Sequence, residues 1–154
     1  MTTLIDAREL LGGDVHSSVV RTILDANPDM DPGVAERITG QAVGFVVACA
    51  QNPDEPMAPS RVVDEGWHAL LLHSFAYTEL CGRFGNFVHH FPGYDPTHYD
   101  PQILDRTRGL MEKAGAAVEA DLWRGPDDEL VDVTAKCQHA PDCAIRPMPK
   151  PEWP

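Results

Sequence analysis

One stretch of this sequence, residues 32–50, reads as a long helix that is apolar on most sides near its C-terminal end. Asp31 followed by Pro32 is a favourable helix start, because the carboxylate caps exposed N–H groups and proline has no N–H to satisfy. The longest apolar run, residues 42–50, is too short to span a bilayer, so neighbouring elements must cover it. The sequence therefore predicts a central, buried helix. Its apolar residues are Val34, Ile38, Val43, Phe45, Val46 and Cys49.

Amphipathic segments before this helix supply part of the expected cover. A first helix is predicted over residues 3–11, with Thr3 as its cap and Gly12 after its end. A second helix is predicted over residues 14–27, where Pro28 stops it. Both carry apolar residues at helical spacing, so each is expected to lay one face on the central helix.

Two further helices are predicted after a proline-rich loop. The fourth runs over residues 60–81 with Ser60 as its cap, and the fifth starts at Asp100 and ends near Gly115. Residues 87–91 are expected to be extended, and residues 118–123 fit either a short strand or a helical turn. The expected fold is all-α, a compact bundle of about five helices over residues 1–124. Residues 125–154 are polar and proline-rich and predict an irregular tail.

Charge and termini narrow the class of protein. A net charge of −12 at pH 7 argues against nucleic acid and anionic membranes as partners, since both would repel the chain. The first residues lack the basic start and apolar run of a secretory signal. We therefore expect a cytoplasmic protein whose four cysteines are reduced. A small molecule and a protein both remain candidates for its partner. No glycine-rich phosphate loop is present, so no nucleotide cofactor is predicted.

The segment over residues 60–92 holds four of the seven histidines. On a helix, Asp64 and His68 lie one turn apart and about 40° from each other, at the margin of an apolar stripe. His73 lies about 180° from Asp64 and is not expected to join them. Glu65, about 100° away, is at most a neighbouring acid or base. The stripe is the predicted core face and consists of Val63, Trp67, Leu70, Leu71, Ser74, Thr78 and Cys81.

An adjacent histidine pair, His89 and His90, completes a candidate metal site. Neighbouring side chains of an extended segment point to opposite faces, so one of the two is expected to turn inward. With Asp64 and His68 it would give one carboxylate and two imidazoles. Such a set suits zinc, iron or copper and leaves a position for water or substrate. The first hypothesis is a metal-binding protein; if it is an enzyme, its reaction depends on that ion, and its substrate is unknown.

The second hypothesis gives the same residues a structural role. Asp64 can favour the positive end of the helix dipole, and His68 can bond to Asp64 with no metal. The protein would then be a non-catalytic interaction or scaffold module. In it, aromatic packing locks the helix to residues 87–91, which we call the return segment. Phe84, Phe87 and Phe91 are accordingly predicted as core residues.

The tail offers a third hypothesis, a metal carrier or sensor. Cys137, His139 and Cys143 lie in the sequence CQHAPDC, and two thiolates with an imidazole could wrap one zinc ion. The remaining histidines, His16 and His98, are read as surface or loop residues and receive no role.

The segment as a whole resembles a family of bacterial glycine-rich-domain-containing proteins. The shared pattern joins a Val-Asp-x-x-Trp-His helix to a tyrosine, a cysteine and a closing His-His-x-Pro. The resemblance implies that these residues form one motif, and it implies no particular reaction. The matching residues are Val63, Asp64, Trp67, His68, Tyr77, Cys81, His89, His90 and Pro92.

Overall fold

The helix that the sequence predicts to be central has five other helices packed around it. The computed structural model describes residues 4–91 and 100–124, and within them the fold is all-α, as predicted. The helices are α1 (Ala7–Leu11), α2 (Gly13–Ala26), α3 (Pro32–Gln51), α4 (Arg61–Leu72), α5 (Ser74–Arg83) and α6 (Ile103–Lys113), followed by a 3₁₀ turn at Ala120–Leu122. The predicted tail, residues 125–154, lies outside the described residues, as does His98.

Helix α3 forms the core because its apolar residues face every neighbour. It contacts α1, α2, α4, α5 and α6, with its most extensive packing against α4. Ile38, Val43 and Val46 are fully buried, and Phe45 packs its ring edge-on against Trp67 of α4. At the α3–α4 crossing Gly66 lies so close to Ala42 that a Cβ there would be 2.8 Å from the alanine methyl. Among the described residues, no helix is long and apolar enough to cross a membrane.

Helix starts follow the sequence signals with small shifts. The Asp31 carboxylate accepts the N–H of Gly33 at 2.7 Å, as expected of a cap, and Ser60 accepts the N–H of Val63 at 3.1 Å. The first helix begins at Ala7 with Asp6 as its cap, since Asp6 accepts the N–H of Glu9, and the predicted cap Thr3 lies outside the described residues. Predicted to start at Asp100, the last long helix begins instead at Ile103.

The predicted fourth helix is interrupted at His73, which is the main correction to the fold. In a continuous helix the Ala69 carbonyl accepts the backbone N–H of His73. Here that carbonyl accepts the ring Nδ1–H of His73 at 2.7 Å, and the His73 backbone N–H turns to Leu70. The break separates α4 from α5 and changes the rotation between them. Ser74 and Thr78, predicted on the core face, are therefore exposed.

The break turns a different set of α5 residues inward. Tyr77, Leu80 and Cys81 are each 2 % exposed or less. Cys81 thus stays in the core as predicted, and burial raises the pKa of its thiol, which disfavours the reactive thiolate. The prediction that His16 is a surface or loop residue is wrong, because it lies on the buried face of α2.

The segment after α6 resolves the ambiguity over residues 118–123 in favour of a helical turn. A polar relay ties this segment to α3. The Gln41 amide oxygen accepts the indole N–H of Trp123 at 2.8 Å, and its amide nitrogen donates to the Ala117 carbonyl at 2.6 Å. Trp123 is 2 % exposed, so the relay is buried. On the same side of α3, Arg37 pairs with Asp121 at 2.6 Å.

Candidate metal centre

Helix α4 presents Asp64 and His68 on one side, as the sequence spacing predicts. Asp64 lies in the first turn of α4, and its side chain is 6 % exposed. His68 lies one turn later, with its Nε2 atom 3.5 Å from Asp64 Oδ2 and its side chain 25 % exposed. The carboxylate therefore forms the inner part of the cluster and His68 the part nearest to solvent.

His90 is the member of the histidine pair that turns inward. Its Nε2 atom lies 2.8 Å from Nε2 of His68 and 3.2 Å from Oδ1 of Asp64. The His90 side chain is 11 % exposed, and its ring packs edge-on against the Trp67 ring with centroids 4.5 Å apart. Two elements distant in the chain, α4 and residues 87–91, thus bring three metal-ligating atoms together.

The spacing of these three groups is close to that of ligands in a shared coordination sphere. Zinc–nitrogen and zinc–oxygen bonds of about 2.0–2.2 Å separate neighbouring ligand atoms by about 3 to 3.5 Å. Here the two Nε2 atoms are 2.8 Å apart, slightly closer than this range, and each lies near a different oxygen of Asp64: Oδ1 is 3.2 Å from His90 and Oδ2 is 3.5 Å from His68. Two imidazole Nε2 atoms can otherwise form one hydrogen bond at most, because one ring must donate and the other accept. The arrangement is thus compatible with a metal site and also with a small hydrogen-bonded cluster.

A buried relay holds the return segment beside α4. Trp67 donates its indole N–H to the hydroxyl of Tyr77 at 3.0 Å, and that hydroxyl donates to the Val88 carbonyl at 2.5 Å. Tyr77 is 1 % exposed, and burial raises the pKa of its hydroxyl well above the usual range. The hydroxyl therefore keeps its proton and remains a donor at neutral pH.

The other candidates of this segment lie elsewhere. His89 is exposed, and its ring contacts Phe87 with centroids 4.8 Å apart. His73, as expected, is not in the cluster, since its Nε2 atom faces the Ser18 hydroxyl at 2.8 Å. Glu65 is buried on the side of α2, where it accepts the Asn27 amide N–H at 2.8 Å. Phe87, predicted as a core residue, is 47 % exposed.

The supporting residues are the part of the site that sequence reasoning missed. By its pattern Tyr77 reads as an ordinary core residue; the family resemblance groups it with Trp67 in one motif but predicts no contact between them, and nothing links it to Val88. The contact arises only because the break at His73 turns α5 relative to α4. Cys137, His139 and Cys143 lie outside the described residues, so the tail hypothesis stays a prediction.

A known protein family matches this chain. A family profile described as UCP032817-like, an uncharacterised family, matches residues 9–97, more than half of the 154-residue chain. The matched range includes α2 to α5 and all three residues of the cluster. No curated protein and no solved structure matches. The resemblance to glycine-rich-domain-containing proteins is not tested by this match and stays a prediction.

Proposed function

For a member of the UCP032817-like family, to which this chain belongs, we propose a metal-binding function at Asp64, His68 and His90. The observation that supports the proposal is the convergence of the Asp64 carboxylate with two imidazole nitrogens, since one ligand atom of each residue lies within 4.8 Å of the other two. Ligands of this kind suit zinc, ferrous iron or copper. Three protein ligands leave at least one coordination position for water or a small molecule.

The surroundings of the cluster suit a functional ion better than a purely structural one. Structural zinc sites are closed by four protein ligands, whereas catalytic sites keep an open position. His68 is the most exposed of the three ligands, so the open position would face solvent on its side. An ion bound there would supply a Lewis acid that lowers the pKa of bound water and polarises a substrate oxygen. The chain's own part is to hold the ligands in place through α4 and residues 87–91.

A second candidate function is a non-catalytic interaction module. It is favoured by the fact that the Trp67–Tyr77–Val88 relay holds the return segment against α4 through groups that belong to none of the three candidate ligands. In that case the three side chains form a hydrogen-bonded cluster. The Asp64 carboxylate accepts hydrogen bonds, and of the two facing Nε2 atoms one donates and the other accepts. The two candidates differ in whether the purified protein carries a stoichiometric ion.

The deciding experiment is elemental analysis of the protein purified without an affinity tag, with and without reconstitution. The variants are His68→Ala and His90→Ala, with His89→Ala as the matched control because it removes the neighbouring, exposed imidazole. We expect about one equivalent of zinc, iron or copper in the wild type and in His89→Ala, and loss of that ion in the other two. A further variant, Cys137→Ala, tests the tail.

The remaining outcomes separate the hypotheses. Metal lost only in Cys137→Ala would place the ion in the tail and make the Asp64 cluster structural. Metal lost in His89→Ala and kept in His90→Ala would contradict the ligand set. No ion in any sample, even after reconstitution, would refute the metal-binding proposal and favour the interaction module.

A further inference from the structure

The position of His90 depends on a short segment outside any helix. Residues 87–91 return along α4, and the backbone of this segment is held at the Val88 carbonyl by the Tyr77 hydroxyl. The same hydroxyl accepts the indole N–H of Trp67, which lies between Asp64 and His68 on α4. A single buried oxygen atom therefore connects the helix that carries two members of the cluster to the segment that carries the third.

We infer that the Tyr77 hydroxyl is a positioning group of the metal site, which selects His90 over His89 as the inward-facing imidazole. The inference rests on the metal-binding function proposed above. Fixing the Val88 carbonyl fixes the register of the two residues that follow. With the carbonyl held there, His90 faces the cluster and the neighbouring His89 is exposed, as alternation along an extended segment predicts.

Contacts on both faces of the segment agree with this role. On the inner face the His90 ring meets Trp67 and His68, each with ring centroids 4.5 Å apart. On the outer face the ring of His89 meets Phe87. Trp67 takes part twice, since its N–H reaches the Tyr77 hydroxyl while its ring edge packs on His90. The hydroxyl and the indole thus set both the backbone and the ring of the third ligand.

The test compares the Co²⁺ affinity of the wild type with that of Tyr77→Phe, which keeps the ring and removes the hydroxyl. Loss of an outer partner of a metal ligand typically weakens affinity by about 10–100-fold. We expect a loss near the lower end, about 10-fold, because the Trp67 contact with the His90 ring remains. We also expect a change in the visible absorption of bound Co²⁺, which reports ligand geometry.

Gln41→Met is the matched control for a general loss of stability. Gln41 is likewise buried and bridges an indole N–H to a backbone carbonyl, but it joins α3 to residues 117–123, away from His90. This variant should lower the free energy of unfolding and leave the Co²⁺ affinity and absorption unchanged. A similar loss of affinity in Gln41→Met and Tyr77→Phe would overturn the inference.

A double-mutant cycle with His90→Ala decides whether Tyr77 acts through His90; it is measured by titration with excess Co²⁺, because the two remaining ligands bind too weakly to retain an ion through purification. If it does, Tyr77→Phe should change Co²⁺ affinity by less than about 2-fold in the His90→Ala background, because coupled residues are not additive. A full 10-fold loss in that background, or no loss in the wild-type background, would overturn the positioning role and leave the metal-binding function intact. Failure of the wild type to bind Co²⁺ would refute the metal-binding function and, with it, this inference.

Discussion

Replacing Gly66 by alanine tests the close approach of α4 to α3 that carries the candidate site. A Cβ at this position would lie 2.8 Å from the Ala42 methyl, 2.9 Å from Ile38 Cγ2 and 3.0 Å from the Ile38 carbonyl oxygen. Two of these three atoms, the methyl and the carbonyl oxygen, move only with the backbone of α3. The added methyl can therefore fit only if the two helices separate.

The expected magnitude follows from two opposing effects. Overpacking costs about 1–3 kcal/mol, and contact with backbone places this case in the upper half of that range. Glycine to alanine in a helix gains about 1 kcal/mol, so the net loss for Gly66→Ala is about 1–2 kcal/mol. Gly40→Ala is the matched control, because Gly40 is also inside a helix, α3, and its Cβ would meet nothing within 4 Å. That variant should gain up to about 1 kcal/mol.

The assay is equilibrium unfolding in urea, followed by far-ultraviolet circular dichroism. The helix-propensity gain is common to both variants, so the difference between them isolates the cost of overpacking, about 2–3 kcal/mol. In thermal unfolding this corresponds to about 4–12 °C for a chain of this size. Equal stability of Gly66→Ala and Gly40→Ala would refute the close approach of the two helices.

Two further predictions concern buried polar groups. Ser60→Ala should lower the free energy of unfolding in urea by about 1–3 kcal/mol, because the hydroxyl caps α4 and also donates to the Leu122 carbonyl at 2.6 Å. The control Asp31→Ala removes an exposed cap and should cost only about 1 kcal/mol. Equal losses would contradict a contribution from the bond to Leu122. Burial, aided by Arg8, lowers the pKa of His16 below 6.5 against the opposing effect of Glu36 and Asp6. As the pH falls below 6.5, the unfolded chain therefore binds a proton at His16 before the folded chain does, and the free energy of unfolding decreases. In a plot of this free energy against pH, His16→Gln should be flatter than the wild type in that range. Parallel curves for the two proteins would contradict the burial of a neutral imidazole.

The features that the sequence predicts well are those encoded by neighbouring residues. The start of α3 depends on Asp31 and Pro32, and the pairing of Asp64 with His68 depends on one helical turn. Alternation along residues 87–91 likewise predicts that only one of His89 and His90 faces inward. Each of these features follows from local geometry, so it can be derived before the tertiary structure is known.

The features that the sequence predicts poorly depend on contacts between residues in different elements. Nothing in the sequence near His73 stops a helix, since no glycine or proline lies there, and the second nitrogen of its ring meets Ser18 from α2. The choice of His90 over His89 likewise coincides with the bond from Tyr77 to Val88. Phe87 is exposed although its apolar side chain favours burial. Tyr77 occupies the interior, and Phe87 covers it from outside with the two ring centroids 5.3 Å apart.

The interruption at His73 has a consequence for how the length of this chain can vary among relatives. Trp67 and Tyr77 meet across it, and in a continuous helix ten residues would place their side chains about 80° apart around the axis. Adding or removing one residue between them would rotate α5 by about 100° and separate the two groups. Relatives that keep this pair should therefore keep the ten-residue spacing, whereas length changes should concentrate in surface loops such as residues 52–57.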